Sequence, residues 1–429
     1  MHVLLDANIL GKGYVAEANR TGIFRATEML VRALLRRDDL TVSVAAEYSW
    51  VNELQLILYD RERGNHLRSR LQRAWRHPEC SDEEGLELIV RILADEQVRK
   101  DSGRDRTMLT LMNATARRAP QPLPCQVVHS LRTALPPPAR VSATARVLTV
   151  HDLIPLLHPE WMYQDAEREV RAIMDSVDPD RDFVIANSEA TAADVAALLP
   201  MRRERIFVTP FAADPAVFHP ETSSERIEQA RRRYGILPGP YLLSLGTVEP
   251  RKNLPRLLRC FFRLAEEAAF ADLQLVLVGP AGWKTEEIFS TIESRPALRS
   301  RIRLTGYVPD ADLAALYSGA RAFVYASLYE GFGLPVLEAM QCGAPVVTSN
   351  TSSMPEVAGD AAVCVPPADA EALFEVLRRL LSNASWAAEL GRRGLERSRR
   401  FSWDLTAEAT VLAYRRILGM TMEGKRGEA

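Results

Sequence analysis

The sequence predicts an α/β protein of two doubly wound, Rossmann-like domains in tandem, and three observations carry that expectation. Short runs of β-branched and aliphatic residues alternate with amphipathic helical stretches almost from end to end, the order expected of parallel sheets with helical crossovers. Many of the runs, such as Leu275-Val-Leu-Val278, are apolar at every position, as strands covered on both faces must be. The alternation occurs twice, and Phe218-His-Pro-Glu-Thr-Ser-Ser-Glu225 between the two series has the turn-rich composition of a linker.

In the first series, His2–Asp6, Thr41–Ala46, Gln126–Ser130, Arg146–Val150, Asp182–Ala186 and Arg205–Val208 read as strands, with a first helix over Gly22–Arg37. In the second series, Tyr241–Leu245, Leu273–Val278, Arg301–Thr305, Arg321–Ala326, Ala344–Thr348 and Ala362–Val365 read as strands. Helical periodicity falls on Asn253–Glu267, Asp310–Ser318, Pro335–Gln341 and Asp369–Leu381. Domains over 1–218 and 225–400 follow, with a final helix at about 403–418.

One stretch breaks the pattern. From Val51 to Pro124 there is helical periodicity with clustered charge but no strand signal, so 51–124 reads as a helical insertion. Arg61, Arg63, Arg68, Arg70, Arg73 and Arg76 crowd into sixteen residues of it. The plainer reading is a solvated helix face held by i,i+4 pairs. The alternative is a basic amphipathic helix in peripheral contact with the inner, anionic membrane surface. Ala134-Leu-Pro-Pro-Pro-Ala139 then reads as a stiff connector.

Composition excludes several classes. The 429 residues allow two to three domains at about 150 residues each. Fifty-four basic and 56 acidic side chains give a net charge of −2, so no global field attracts nucleic acid. Only five of those bases are Lys, which makes each Lys informative. No apolar run reaches the length of a membrane span, and MHVLLDANIL reads as a strand rather than a signal peptide. Five scattered cysteines without a CxxC pair support neither a disulfide framework nor a zinc site. A cytoplasmic location is the expectation, peripheral at the membrane face on the alternative reading of the Arg cluster.

The richest segment is Tyr325-Ala-Ser-Leu-Tyr-Glu-Gly-Phe-Gly-Leu-Pro-Val-Leu-Glu-Ala-Met340. A strand runs into a glycine loop, and Pro335 suits the first position of the next helix. Gly331 and Gly333 permit a tight turn whose amides, with the helix N-terminus, form an anion site fit for a diphosphate. Glu330 and Glu338, expected in the helix's first turn, flank that site. Two acids beside an anion make sense when each accepts from sugar hydroxyls. No strand is followed by Gly-x-Gly-x-x-Gly, which argues against a dinucleotide-binding oxidoreductase.

Glu330-Gly-Phe-Gly-Leu-Pro-Val-Leu-Glu338 resembles the E-x7-E motif of the retaining glycosyltransferases of family four, whose fold is GT-B. Ser244-Leu-Gly-Thr-Val-Glu-Pro-Arg-Lys-Asn-Leu254 is similar to that family's diphosphate-gripping loop. Leu275–Trp283 and Thr305–Tyr317 resemble the elements around the nucleotide base, and Arg20-Thr-Gly-Ile-Phe-Arg25 the first glycine loop. Val150-His-Asp-Leu-Ile-Pro155 resembles the histidine motif of the subgroup that transfers mannose onto bacterial polysaccharides, and Asn187-Ser188 is similar to the family's motif at that point. Two departures stand out. Thr247 follows Gly246 where many relatives carry Arg, with Arg251 expected to supply the charge, and Phe211-Ala-Ala-Asp214 replaces a frequent Asn-Gly-Val-Asp.

The resemblance implies two domains facing a central cleft, with the final helix crossing back to the acceptor-side first domain. It assigns catalysis to His151 and Glu330, with His151 where a doubly wound sheet binds ligands, at a strand's C-terminal edge. It assigns donor binding to Gly22, Arg251, Lys252, Val308, Gly331, Phe332, Gly333, Leu334 and Glu338, the last taking the ribose. Arg251 and Lys252 would neutralise the leaving diphosphate, so no metal and no cofactor are expected beyond the nucleotide sugar itself. The implied reaction moves a hexose, mannose from GDP-mannose foremost, onto a saccharide or lipid-linked saccharide in surface polysaccharide synthesis. Donors based on UDP, dTDP or GDP-fucose remain open, as does a non-catalytic sugar-nucleotide-binding or scaffolding role. Glu330→Ala is expected to abolish transfer with little loss of fold.

Overall fold

The computed structural model describes residues 1–6, 9–10, 22–45, 75–76, 117–118, 123–138 and 141–427. All of the Arg cluster at 61–76 except Arg76, and nearly all of the expected 51–124 insertion, lie outside the described residues. Strands β1 (His2–Asp6), β2 (Thr41–Ala45), β5 (Leu123–Ser130), β6 (Val141–Val150), β7 (Phe183–Ala186) and β8 (Ile206–Val208) form one sheet in the order β2-β1-β5-β6-β7-β8. Every pairing in it is parallel. Two-residue strands β3 (Trp75–Arg76) and β4 (Arg117–Arg118) pair antiparallel. That pair and the start of β5 at Leu123 correct the strandless reading of this stretch, because two residues carry no periodicity.

Strands β9 (Tyr241–Leu245), β10 (Gln274–Val278), β11 (Ile302–Gly306), β12 (Ala322–Tyr325), β13 (Val346–Ser349) and β14 (Val363–Val365) form the second sheet, in the order β11-β10-β9-β12-β13-β14. It too is wholly parallel. Strand order reverses between β9 and β12, and a doubly wound sheet binds ligands beyond the carboxyl ends at such a switch point.

All twelve expected strands are present, with ends shifted by a few residues. The helix Leu254–Glu266 shows why the periodicity was readable: Leu254, Leu257, Leu258, Phe261, Leu264 and Ala265 are buried, while Arg256, Arg259 and Arg263 alternate outside them. The expected linker ends early, because Ser223 accepts from the amide of Arg226 and starts a helix over Ser224–Arg233, an N-cap of ordinary kind.

The last helix runs from Trp403 to Gly427, longer than expected, and crosses back to the first domain. Arg36 pairs with Asp404 and Arg415 with Asp39, each at 2.8 Å. The Tyr414 hydroxyl lies 2.5 Å from Nδ1 of buried His129, and the Thr406 hydroxyl donates to the Pro210 carbonyl at 2.6 Å. One apolar core continues from Val3 and Phe24 through Phe211 and Phe218 to Phe332 and Ile417, so the domains share packing at the hinge. The Phe211-Ala-Ala-Asp214 departure has its explanation here. Phe211 is 3% exposed and its ring meets those of His151, Phe332 and Trp403 at 5.5, 5.8 and 5.7 Å. An apolar hinge residue replaces a polar one because it is buried between both domains.

Candidate active site

The loops after β9 and β12 meet at the switch point. Pro250–Lys252 form one 3-10 turn, and Asn253 follows with φ of 56°. Arg251 and Lys252 therefore precede the next helix by a turn rather than opening it. Asn253 holds that strained turn: its Nδ2 donates to Ala326 O at 3.0 Å and Pro367 O at 2.9 Å, tying the loop to the end of β12.

Glu330 is buried between the two bases. Lys252 Nζ donates to its Oε1 at 2.6 Å, and Arg251 Nη1 pairs with its Oε2. Burial alone would raise the Glu330 pKa, but the two cations dominate and hold it at about 2. Arg251 also reaches Glu249 Oε1 at 2.5 Å, and Lys252 reaches the Tyr325 hydroxyl at 2.6 Å. Arg251 and Lys252, expected to neutralise a diphosphate, are thus already ion-paired. Two carboxylates already balance Arg251 and Lys252, and a diphosphate must share or displace them. Arg251 Nε, buried without an acceptor among the described residues, is one donor left over.

The glycine loop docks on the opposite domain. A Cβ on Gly331 would lie 2.1 Å from the His151 carbonyl oxygen, so only glycine permits this approach. The Gly331 carbonyl accepts from Ser188 Oγ at 2.7 Å and Thr191 Oγ1 at 3.1 Å. This glycine is therefore required by the interdomain contact itself. Gly333, with φ of 101°, starts the helix Leu334–Gln341 without a side-chain cap, so no side chain closes off its first amides. The Phe332 ring packs against Phe211 and Phe401, so the part of this residue left to meet a donor is its backbone, as an anion site made of loop amides requires. Val308 is likewise buried in the shared core, at 4% exposure.

The helix starts at Leu334, one residue earlier than expected, which leaves Glu338 just outside its first turn. Tyr317 donates its hydroxyl to Oε2 at 3.0 Å, and Arg25 of the first domain approaches Oε1 at 3.4 Å. Gly22 opens the helix Gly22–Leu35, and a Cβ there would stand 3.8 Å from Leu334 Cδ1, so these two expected donor residues face each other. Beside Lys252, the cavity lined by Ser244, Gly246 and Val278 measures about 10 Å³, too little for a nucleotide.

His151 follows β6 as expected and is 7% exposed. Its Nε2 lies 2.7 Å from the Leu131 carbonyl, which only accepts, so Nε2 carries the proton and Nδ1 is left as an acceptor. Burial first, then the charge of Arg132, lowers its pKa from 6.5 to about 4 against the opposing Leu131 bond. Burial and the neighbouring His151 take His129 to about 3. Because both folded values lie below 6.5, the unfolded chain takes up protons first. These groups add most to stability above pH 6.5 and lose it as the pH falls. Imidazole NMR signals of both residues are expected to stay at neutral-form shifts from pH 8 to 5; titration near pH 6.5 would contradict their burial.

Sequence reasoning missed Asn253, Glu249, Tyr325 and Arg25 as members of the site. All four lie inside quoted motifs; the partners of Asn253, Tyr325 and Arg25 are distant in sequence, whereas Glu249 pairs with Arg251 two residues on. Among the described residues, no group of three His, Cys, Asp or Glu could hold a metal ion, and no helix is long and apolar enough to cross a membrane.

Comparison with known proteins fits this geometry. The family model described as glycosyl transferases group 1 matches residues 226–397, the domain that carries Arg251, Lys252, Glu330 and Glu338. O-antigen chain mannosyltransferase B of Escherichia coli is 36% identical over 270 residues, covering 63% of this chain and 70% of that protein. The chain belongs to the group 1 glycosyltransferases. Within them it also resembles the serotype-specific mannosyltransferase WbdA of Escherichia coli, at 32% identity over 284 residues, 66% of this chain. The match spans only 35% of WbdA, about a third of its length. Sucrose-phosphate synthase from Thermosynechococcus elongatus superposes with a TM-score of 0.63 at 18% identity, over 98% of this chain and all of that one. Its likeness shows that this group 1 glycosyltransferase has the expected GT-B arrangement of two α/β domains.

Proposed function

We propose that the protein transfers mannose from GDP-mannose, with retention of configuration, onto a saccharide or lipid-linked saccharide acceptor in surface polysaccharide synthesis. The observation that carries the transfer reading is the buried Arg251–Lys252–Glu330 cluster at the switch point of the second sheet. The names of its mannosyltransferase relatives support the sugar. The diphosphate lies against Arg251 and Lys252, which stabilise the charge that grows as the glycosidic bond breaks. Glu330, released from one cation, accepts from sugar hydroxyls, and Nδ1 of His151 offers a second acceptor across the cleft. The acceptor hydroxyl attacks from the face the diphosphate leaves, and a phosphate oxygen takes its proton. Closure of Gly331 onto the His151 carbonyl excludes water that would hydrolyse the donor. With two fixed cations supplying the charge, no metal and no further cofactor enter this reading. Catalysis on the cytoplasmic side, where sugar nucleotides are made, is part of it.

Incubating the pure protein with GDP-mannose and a mannoside acceptor should release GDP and give an α-linked product by NMR. Release from UDP-, dTDP- or GDP-fucose donors alone would change the sugar. Binding of GDP with no release from any donor would leave a sugar-nucleotide-binding protein in place of an enzyme. A β-linked product would overturn retention.

A further inference from the structure

Arg25 extends from the first turn of the helix Gly22–Leu35 across the cleft into the other domain. Its Nη1 donates to Asp310 Oδ1 at 3.0 Å and its Nη2 stands 3.4 Å from Glu338 Oε1. The guanidinium lies 5.7 Å from the centre of the Phe218 ring. Its Nε is buried with no acceptor among the described residues. Buried donors in folded proteins are nearly always paired, and one left open beside a ligand site points to an oxygen that the ligand brings.

The group Arg25 holds has a specific need. The Glu338 side chain is 3% exposed, and the Tyr317 hydroxyl serves only Oε2. Burial raises the Glu338 pKa and Asp310 adds to the rise, while Arg25 and Tyr317 oppose them. Accepting from two ribose hydroxyls takes an ionised carboxylate with both oxygens open to donors, whereas a protonated acid turns one of them into a donor. Without the Arg25 cation, this buried carboxyl would keep one phenol and an acidic neighbour.

We propose that Arg25 is a positioning residue for the donor: it orients Glu338 from the opposite domain for the ribose of a nucleoside diphosphate and so couples ribose recognition to domain closure. The inference rests on the reading of Glu338 as the ribose-holding residue. Arg25 keeps its fork on Asp310 and Glu338 as the cleft shuts, and its open Nε meets a ribose oxygen. Opening the cleft breaks both ion pairs together, so an unfilled Glu338 favours neither domain position as strongly as a filled one.

Calorimetric titration with GDP and with inorganic diphosphate separates the outcomes, since only GDP carries a ribose. R25A is expected to weaken GDP about tenfold, on the scale of coupled neighbouring sites, and to leave diphosphate affinity unchanged, which also shows the variant folded. R25K, with the charge but not the fork, should fall between. In steady-state assays R25A should raise the donor KM more than it lowers kcat. In an E338Q background, where no carboxylate needs the cation, the effect of R25A on GDP should shrink to about twofold or less. R25A binding GDP like the parent, or an unchanged R25A effect in the E338Q background, overturns the role of Arg25. E338Q binding GDP like the parent overturns instead the ribose reading on which it stands.

Discussion

Glu330→Ala is expected to lower turnover by about 10²–10³-fold and to destabilise the donor-free protein by about 3–5 kcal/mol. The first effect follows from its place in the cleft. The second follows from what surrounds it: Glu330 and its partners Arg251 and Lys252 are each at most 14% exposed on their side chains. Removing the carboxylate leaves two like charges close together in a dry site, with Glu249 balancing one of them. Truncating one partner of a buried pair costs more than the pair was worth, because the remaining charge keeps its desolvation penalty. This reverses the expectation from sequence that the variant would keep its fold. The loss should be repaired by anions that bind only the folded form, so inorganic diphosphate should raise the variant's unfolding midpoint more than the parent's. Denaturant unfolding with and without diphosphate measures both. Equal stability of the two proteins without ligand would show that the cluster is not a balanced charge set.

Lys252→Ala is expected to cut kcat/KM for the donor by a similar ~10²–10³-fold while costing less stability than Glu330→Ala. The ammonium touches Glu330 at 2.6 Å and the Tyr325 hydroxyl at 2.6 Å, and lies 4.8 Å from the Tyr325 ring centre. When it goes, Arg251 alone faces Glu330 and Glu249, so the balance is lost, but each carboxylate keeps an ion pair with Arg251, whereas Glu330→Ala leaves Lys252 with no carboxylate partner. The third ammonium proton and the charge itself are what the diphosphate loses. Arg should not replace it, because the stem threads past Gly246, where even a Cβ would come within 2.9 Å of Lys252 Cε. Steady-state kinetics of the Ala and Arg variants test this. Turnover within about threefold of the parent in either one would remove Lys252 from the leaving-group site.

Much of this site was legible in the sequence because motif residues sit at strand ends. Arg251 and Lys252 follow β9, Glu330 follows β12 and His151 follows β6, and a doubly wound sheet brings such ends to one edge. Side-chain direction was not legible. Phe332 and Val308 belong to the expected donor segment, yet their side chains fill the shared core. Gly331 is small for the sake of a carbonyl in the other domain, which no local rule reports. Arg25 and Asp310 are 285 positions apart, and no spacing rule reaches so far.

What the sequence determined alone is the pair of parallel sheets, the crossover helices and the family motif, since each depends on periodicities of two and 3.6 residues or on short runs. What only the tertiary structure decided is the state of charge and contact in the cleft. Arg251 and Lys252 are paired with Glu249 and Glu330 rather than free, Glu338 depends on an arginine from the opposite domain, and the glycine loop is shaped by the backbone it docks on. The physical reason is one of range. Backbone geometry fixes helices and strands within a few residues, whereas desolvation and charge balance are set by whichever groups the folded chain brings together.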